Sequence, residues 1–123
     1  MATTYTLNAT SKIVDASNTE LAKLASVGSD NGITQRVDDE IQIPNGSTDR
    51  SISLVGLTAK YVHLEFSGGD VSVKLNSSSN TAISIEPTAA VPGVLLLTGG
   101  SVTSIFVTNA SGSVVTMKRV LAS

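Results

Sequence analysis

The feature that most narrows the folds open to this chain is the series of short strand patterns in its second half. After Thr58 the sequence runs through six of them, at 60–66, 70–75, 81–85, 94–97, 101–108 and 114–121. Between them lie clusters of turn formers: Ser67-Gly68-Gly69, Asn76-Ser77-Ser78-Ser79-Asn80, Thr98-Gly99-Gly100 and Asn109-Ala110-Ser111-Gly112. Period-two alternation sends successive side chains to opposite faces of a sheet, and turns at this spacing belong to an all-β sandwich or small barrel. In the first run Val62, Leu64 and Phe66 share one face, with Tyr61, His63 and Glu65 on the other. Val71, Val73 and Leu75 alternate in the same way with Ser72, Lys74 and Asn76, and Gly68-Gly69 between the two runs predicts a tight hairpin. Val94-Leu95-Leu96-Leu97 does not alternate. Such a run is buried on both faces, either as a central strand under a second layer or as a strand whose outer face meets a partner chain.

The first half is less regular. Residues 34–43 read as a strand with Val37, Asp39, Ile41 and Ile43 on one face and Arg36, Asp38, Glu40 and Gln42 on the other, closed by Pro44-Asn45-Gly46. Residues 50–55 alternate with Ile52 and Leu54 inward. Residues 1–16, with Tyr5, Leu7, Ala9, Ile13 and Val14, read as one or two short strands or as an extended N-terminal arm. Residues 17–28 read as a short helix near 19–26, capped by Asn18 or Thr19 and stopped by Gly28, or as irregular loop. Ser29-Asp30-Asn31-Gly32 is a turn signal, because Asn-Gly favours positive φ. The expectation is one domain over 1–123, an antiparallel β-sandwich of jelly-roll-like form with about eight strands. Its core is expected to hold Val62, Leu64, Phe66, Val71, Val73, Leu75, Ile83, Ile85, Leu95, Leu97, Val107 and Met117, with Val94 and Leu96 also covered.

A chain of 123 residues is the size of one domain and needs no staples for its core. Only 15% of its residues are charged, against a usual ~25%, and Ser, Thr, Asn and Gly fill the difference. Such a surface suits extended contact with other protein. The net charge of −2 leaves no basic footprint for nucleic acid, and two Tyr, two Phe and no Trp are too few for a stacking platform. With no cysteine, disulfides, thiolate catalysis and Cys-zinc sites are all absent, which fits assembly in a reducing cytoplasm. The first residues lack the basic and apolar regions of a signal peptide, and 94–97, the longest purely apolar run, is far short of a membrane span.

No constellation calls for catalysis, a metal or a cofactor. Asp38-Asp39-Glu40 is the densest acidic cluster, but it lacks the Asp-x-Asp-x-Asp-Gly form of a calcium loop and reads as a charge row blunting a sheet edge. His63 is the one histidine, no Gly-x-Ser-x-Gly elbow accompanies it, and it reads as a surface or interface residue. Gly68-Gly69 and Gly99-Gly100 precede no helix and no Lys-Ser or Lys-Thr, so they are hairpin turns rather than phosphate loops. The sequons at Asn8, Asn45, Asn76 and Asn109 are what a Ser/Thr/Asn-rich chain contains by chance.

From about Lys60 to Ser123 the chain resembles small phage and prophage virion proteins, capsid decoration or head-associated β modules above all. The stretches that carry the likeness are 61–66, 70–76, 91–99, 102–112 and the ending Val-Leu-Ala-Ser. The resemblance implies a non-enzymatic structural protein located in the virion and assembled in a bacterial cytoplasm. Its partners would be the major capsid protein or another virion protein, and it would be a homo-oligomer with a trimer favoured. No catalytic residues come with it. The alternative is a tail- or fibre-associated module that binds carbohydrate or a receptor. For the docking arm the residues singled out are Tyr5, Leu7 and Ile13, because that segment is poorly assigned to the sheet and chain ends commonly bind in extended form.

Overall fold

The computed structural model describes residues 3–123, and among them it contains strands and no helix. The strands are β1 (Thr3–Val14), β2 (Glu20–Ile33), β3 (Arg36–Ile43), β4 (Ser47–Ile52), β5 (Ala59–Ser67), β6 (Val71–Leu75), β7 (Ile83–Ile85), β8 (Gly93–Val102), β9 (Ile105–Asn109) and β10 (Val115–Ala122). All sheets are antiparallel and none closes into a barrel. The chain divides into two compact units, residues 1–34 and 35–123.

The first unit is the β1–β2 hairpin. Its turn is built by Asp15, whose Oδ1 accepts from the amides of Ser17 and Thr19, both at 2.9 Å, while Asn18 takes the left-handed conformation at φ 61°. The expected helix near 19–26 is therefore absent. Asn18 and Thr19, residues that also cap helices, are used here in a turn, and the 14-residue strand β2 begins at Glu20. The turn expected at 29–32 is also absorbed into β2. Tyr5 pairs with Asp30 and Thr3 with Ile33, so β2 carries an extra residue there, and Asp30 Oδ1 accepts the Gly32 amide at 2.8 Å. The Asn-Gly signal marks a bulge rather than a reversal.

In the second unit the eight strands pair as nested layers: β3 with β10, β4 with β9, β5 with β8 and β6 with β7. Two further pairings, β10 with β5 and β9 with β6, join these into sheets of order β3-β10-β5-β8 and β4-β9-β6-β7. Every connection except β6 to β7 crosses from one sheet to the other. This overturns the hairpin expected at Gly68-Gly69. Gly68, at φ 103°, carries the chain between sheets, and a Cβ there would lie 2.8 Å from the Val114 carbonyl oxygen. Thr98-Gly99-Gly100 is likewise no turn. It lies inside β8, where Gly99 at φ 75° accompanies a register shift against β5.

The inner faces of both sheets feed one hydrophobic cluster. Val62, Leu64, Phe66, Val115, Met117 and Leu121 come from one sheet, and Val71, Val73, Ile85, Ile105 and Val107 from the other. Leu75, Leu95 and Leu97 pack against it while partly exposed. Two expected core residues lie elsewhere: Ile83 is 39% exposed at the end of the three-residue strand β7, and Val94 is 49% exposed. Leu96 is half-buried. The reason is that β8 is an edge strand and not a central one, so neither of its faces is fully covered within the chain.

Leu64 is fully buried at the centre of this core. Leu64→Ala is expected to cost about 2–5 kcal/mol in chemical denaturation, the range for a packed site, whereas Ile83→Ser should cost well under about 1 kcal/mol. Equal losses in the two variants would show that the faces of these strands are assigned wrongly.

Candidate functional site

Alternation along β10 puts Val115, Met117 and Leu121 inward, and Arg119 is in phase with them. A guanidinium on the core face must find partners for its donors, and this one does. Its Nε and Nη2 donate to Asp39 Oδ1 and Oδ2 at 2.6 and 3.0 Å, and its Nη1 donates to the Ser53 carbonyl at 2.6 Å. Asp39 is the cross-strand partner of Arg119 on β3. The Arg119 side chain is 3% exposed and the Asp39 side chain 42%. The hydrogen bond from Arg119 holds the Asp39 carboxyl below its ordinary value, burial opposes this, and the positive charge adds to the lowering. Of the acidic cluster 38–40, Asp39 is thus a structural ion-pair partner on the inner face, while Asp38 and Glu40 lie on the outer one.

Asn109 plays a comparable part at one end of the two sheets. It is fully buried, donates to the carbonyls of Ile43 and Ser113 at 2.9 and 2.8 Å, and accepts from the amide and hydroxyl of Ser111 at 3.1 and 2.7 Å. Its amide is committed to the fold, so the sequon there is structural. On the outer face of the second sheet, Asp49 receives Lys74 Nζ at 3.0 Å, and its amide donates to Thr108 Oγ1 at 2.9 Å.

Two surfaces bear on the residues singled out from the sequence. One is the outer face of the sheet β3-β10-β5-β8. Register places Glu40, Lys118, Glu65 and Val94 in one row across it, and Asp38, Val120, His63 and Leu96 in the next. A shallow depression of about 440 Å³ lies here, lined by Asp38, Asp39, Glu40, His63, Glu65, Lys118, Arg119 and Val120. The lining offers His63 no hydroxyl or thiol to activate. Among the described residues, no three His, Asp or Glu side chains converge as a metal site.

The other surface is the hairpin. Tyr5, Leu7, Ala9 and Ile13 share one face with their cross-strand neighbours Ser26, Leu24 and Ala22, and along 7–13 and 22–28 this face carries no charge. Tyr5 and Leu7 are half-buried, and burial raises the Tyr5 hydroxyl above its ordinary value. Ile13 is 62% and Leu24 70% exposed. The opposite face carries Lys12 directly across from Lys23. The structure therefore brings Tyr5, Leu7 and Ile13 onto one face of one hairpin.

Sequence reasoning missed Arg119 and Asn109. The signal was phase: each continues a buried apolar alternation, Val115-Met117 and Ile105-Val107 respectively, so each side chain must point inward. No protein-family model matches the chain, and no curated protein matches it.

Because Asp39 has a lowered pKa in the folded state, the stability it contributes is present above the unfolded carboxylate value and is lost as pH falls through the lower folded one. Asp39→Asn should therefore flatten the acid arm of a stability–pH curve measured by urea denaturation. Near neutral pH it should cost roughly 2–3 kcal/mol, below the full cost of breaking a buried pair because the carboxylate keeps contact with water. An acid arm that is unchanged in the variant would assign the acid sensitivity to other carboxylates.

Proposed function

We propose that this protein is a non-enzymatic virion structural protein, most consistent with a decoration or cement protein on the outside of a phage capsid. In this reading residues 35–123 are a jelly-roll sandwich and the β1–β2 hairpin is the docking arm. The observation that carries it is the nested strand order. A long hairpin of four strands against four, rolled up so that first pairs with last, gives the pairings β3–β10, β4–β9, β5–β8 and β6–β7. Double-sheet jelly rolls of this kind are a recurring architecture of viral capsid and lectin domains.

The hairpin supports the docking role on physical grounds. A two-stranded hairpin is marginal on its own, and burying Leu7, Ile13 and Leu24 against a partner would supply the apolar contact it lacks. Self-association of subunits would present several arms at once to a repeating lattice and multiply weak contacts.

The carbohydrate-binding alternative is less well supported, because stacking on sugar needs open aromatic faces. Phe66 is fully buried, Tyr5, Tyr61 and Phe106 are half-buried, and Lys60 Nζ lies 5.5 Å from the centre of the Tyr61 ring.

The test is cosedimentation of the purified chain with undecorated capsids. The native chain is expected to bind, and the double variant Ile13→Asp/Leu24→Asp is expected to lose at least tenfold in affinity with an unchanged far-UV circular dichroism spectrum. Failure of the native chain to bind would overturn the decoration reading. Undiminished binding of the double variant would remove the hairpin from the interface.

A further inference from the structure

The four sheet edges of residues 35–123 are not alike. Edge β3 carries Arg36, Asp38, Asp39 and Glu40 in eight residues. Edge β4 is interrupted by a bulge between Ser47 and Arg50, with Asp49 at φ 44°. Edge β7 is three residues long. Charge, bulges and shortness are the devices by which native sheets prevent strands from adding to their edges. Edge β8 has none of them over its first half: Gly93-Val94-Leu95-Leu96-Leu97-Thr98 is uncharged, lacks proline and pairs in unbroken register with β5 from Gly93 to Thr98. Its first irregularity is at Gly99.

The side chains of this segment also lack full cover. Leu95 and Leu97 point to the core yet stay partly exposed, while Leu96 is half-buried and Val94 49% exposed on the outer face. A strand that is apolar on both faces is expected to be central in a sheet, and β8 becomes central only when another strand joins it.

We propose that the free edge of β8 pairs antiparallel with β8 of a second copy of this chain, about a two-fold axis at Leu96. That register sets Leu96 opposite Leu96, Leu95 opposite Leu97 and Val94 opposite Thr98. A two-fold axis places each residue near its own copy, so a charged edge would meet like charge; an uncharged segment meets none. The pairing joins two four-stranded sheets in the order β3-β10-β5-β8-β8-β5-β10-β3. The only edges left on the joined sheet are the charged β3 strands, so the assembly closes as a pair and does not grow into a fibre. The row Asp38-Val120-His63-Leu96 then continues into its own mirror order across the axis. This contact is distinct from the hairpin surface and does not depend on capsid binding.

Sedimentation equilibrium of the full chain, from micromolar to millimolar, tests the proposal. The native protein is expected to be a dimer or an even multiple of chains. Leu96→Lys, on the outer face and away from the core, should halve that number with an unchanged circular dichroism spectrum. Leu96→Glu should do the same. Mixing the two variants should restore the native mass, because Lys then lies opposite Glu across the axis. A native chain that stays monomeric or forms an odd-numbered oligomer overturns the proposal. So does an assembly indifferent to Leu96→Lys, and so does a mixture of the two variants that fails to reassociate.

Discussion

Arg119 and Asp39 are 80 residues apart in sequence and opposite each other in space, and the arrangement of the second unit depends on that meeting. In a nested topology the last strand must return to the first, which is the pairing with the largest loop-closure cost. Apolar alternation alone fixes β10 only to within two residues, since a shift of two keeps the same face inward. The ion pair removes the degeneracy. A one-residue slip would turn Lys118 into the core, and a two-residue slip would set Met117 or Leu121 across from Asp39 and leave the buried guanidinium without its carboxylate. Breaking a buried pair in this way costs several times what a lost surface pair would. The third bond, to the Ser53 carbonyl, extends the constraint to the segment between β4 and β5.

Asn109 and Asn76 do for the chain reversals what Arg119 does for register. Asn109 uses both donors and its acceptor to tie β9 to the end of β3 and to residues 111–113, and Ser113 Oγ donates onward to the Gly68 carbonyl at 2.7 Å. Asn76, left-handed at φ 70°, accepts from Thr103 and donates to Ser101, holding the end of β6 to the β8–β9 reversal. A chain so rich in Ser, Thr and Asn spends much of that polarity internally. Short polar side chains can satisfy the backbone groups that are exposed each time the chain changes sheets.

Strand content, the buried face of β5 and the outward placement of His63 were legible in the sequence because they rest on local alternation, as with Val62-Leu64-Phe66. The partners of each strand were not. Gly68-Gly69 looks the same whether it joins neighbours in one sheet or crosses between two, and only the pairing of β5 with β8 and β10 decides. The run 17–28 failed for another reason. Leu21, Leu24 and Ala25 fit a helical face as well as they fit a strand, and pairing with β1 along eleven positions overrode that weak local preference. The apolar run at 94–97 predicts cover on both faces, and its place at an edge leaves that cover incomplete within the chain. For the residues proposed to dock, the alternation of Tyr5 and Leu7 was visible, but the strand that completes their face lies at 20–33, and a helix near 19–26 was the competing local signal.

The form of the first unit bears on the docking proposed for it. A disordered segment that adopts strand structure on a partner must lose roughly 1–2 kcal/mol of backbone entropy for each residue it orders, which consumes much of the contact energy. Here the ordering is largely done in advance. Asp15 closes the turn through two amides, β1 and β2 are paired along most of their length, and the apolar residues already share a face. In the proposed docking, what would remain to be lost is side-chain freedom at Leu7, Ile13 and Leu24. A preformed hairpin therefore converts a larger share of a small apolar contact into affinity than a flexible tail of the same length. The hairpin is a sheet of two strands only, so in the proposed docking its own order and its binding would be coupled by linkage.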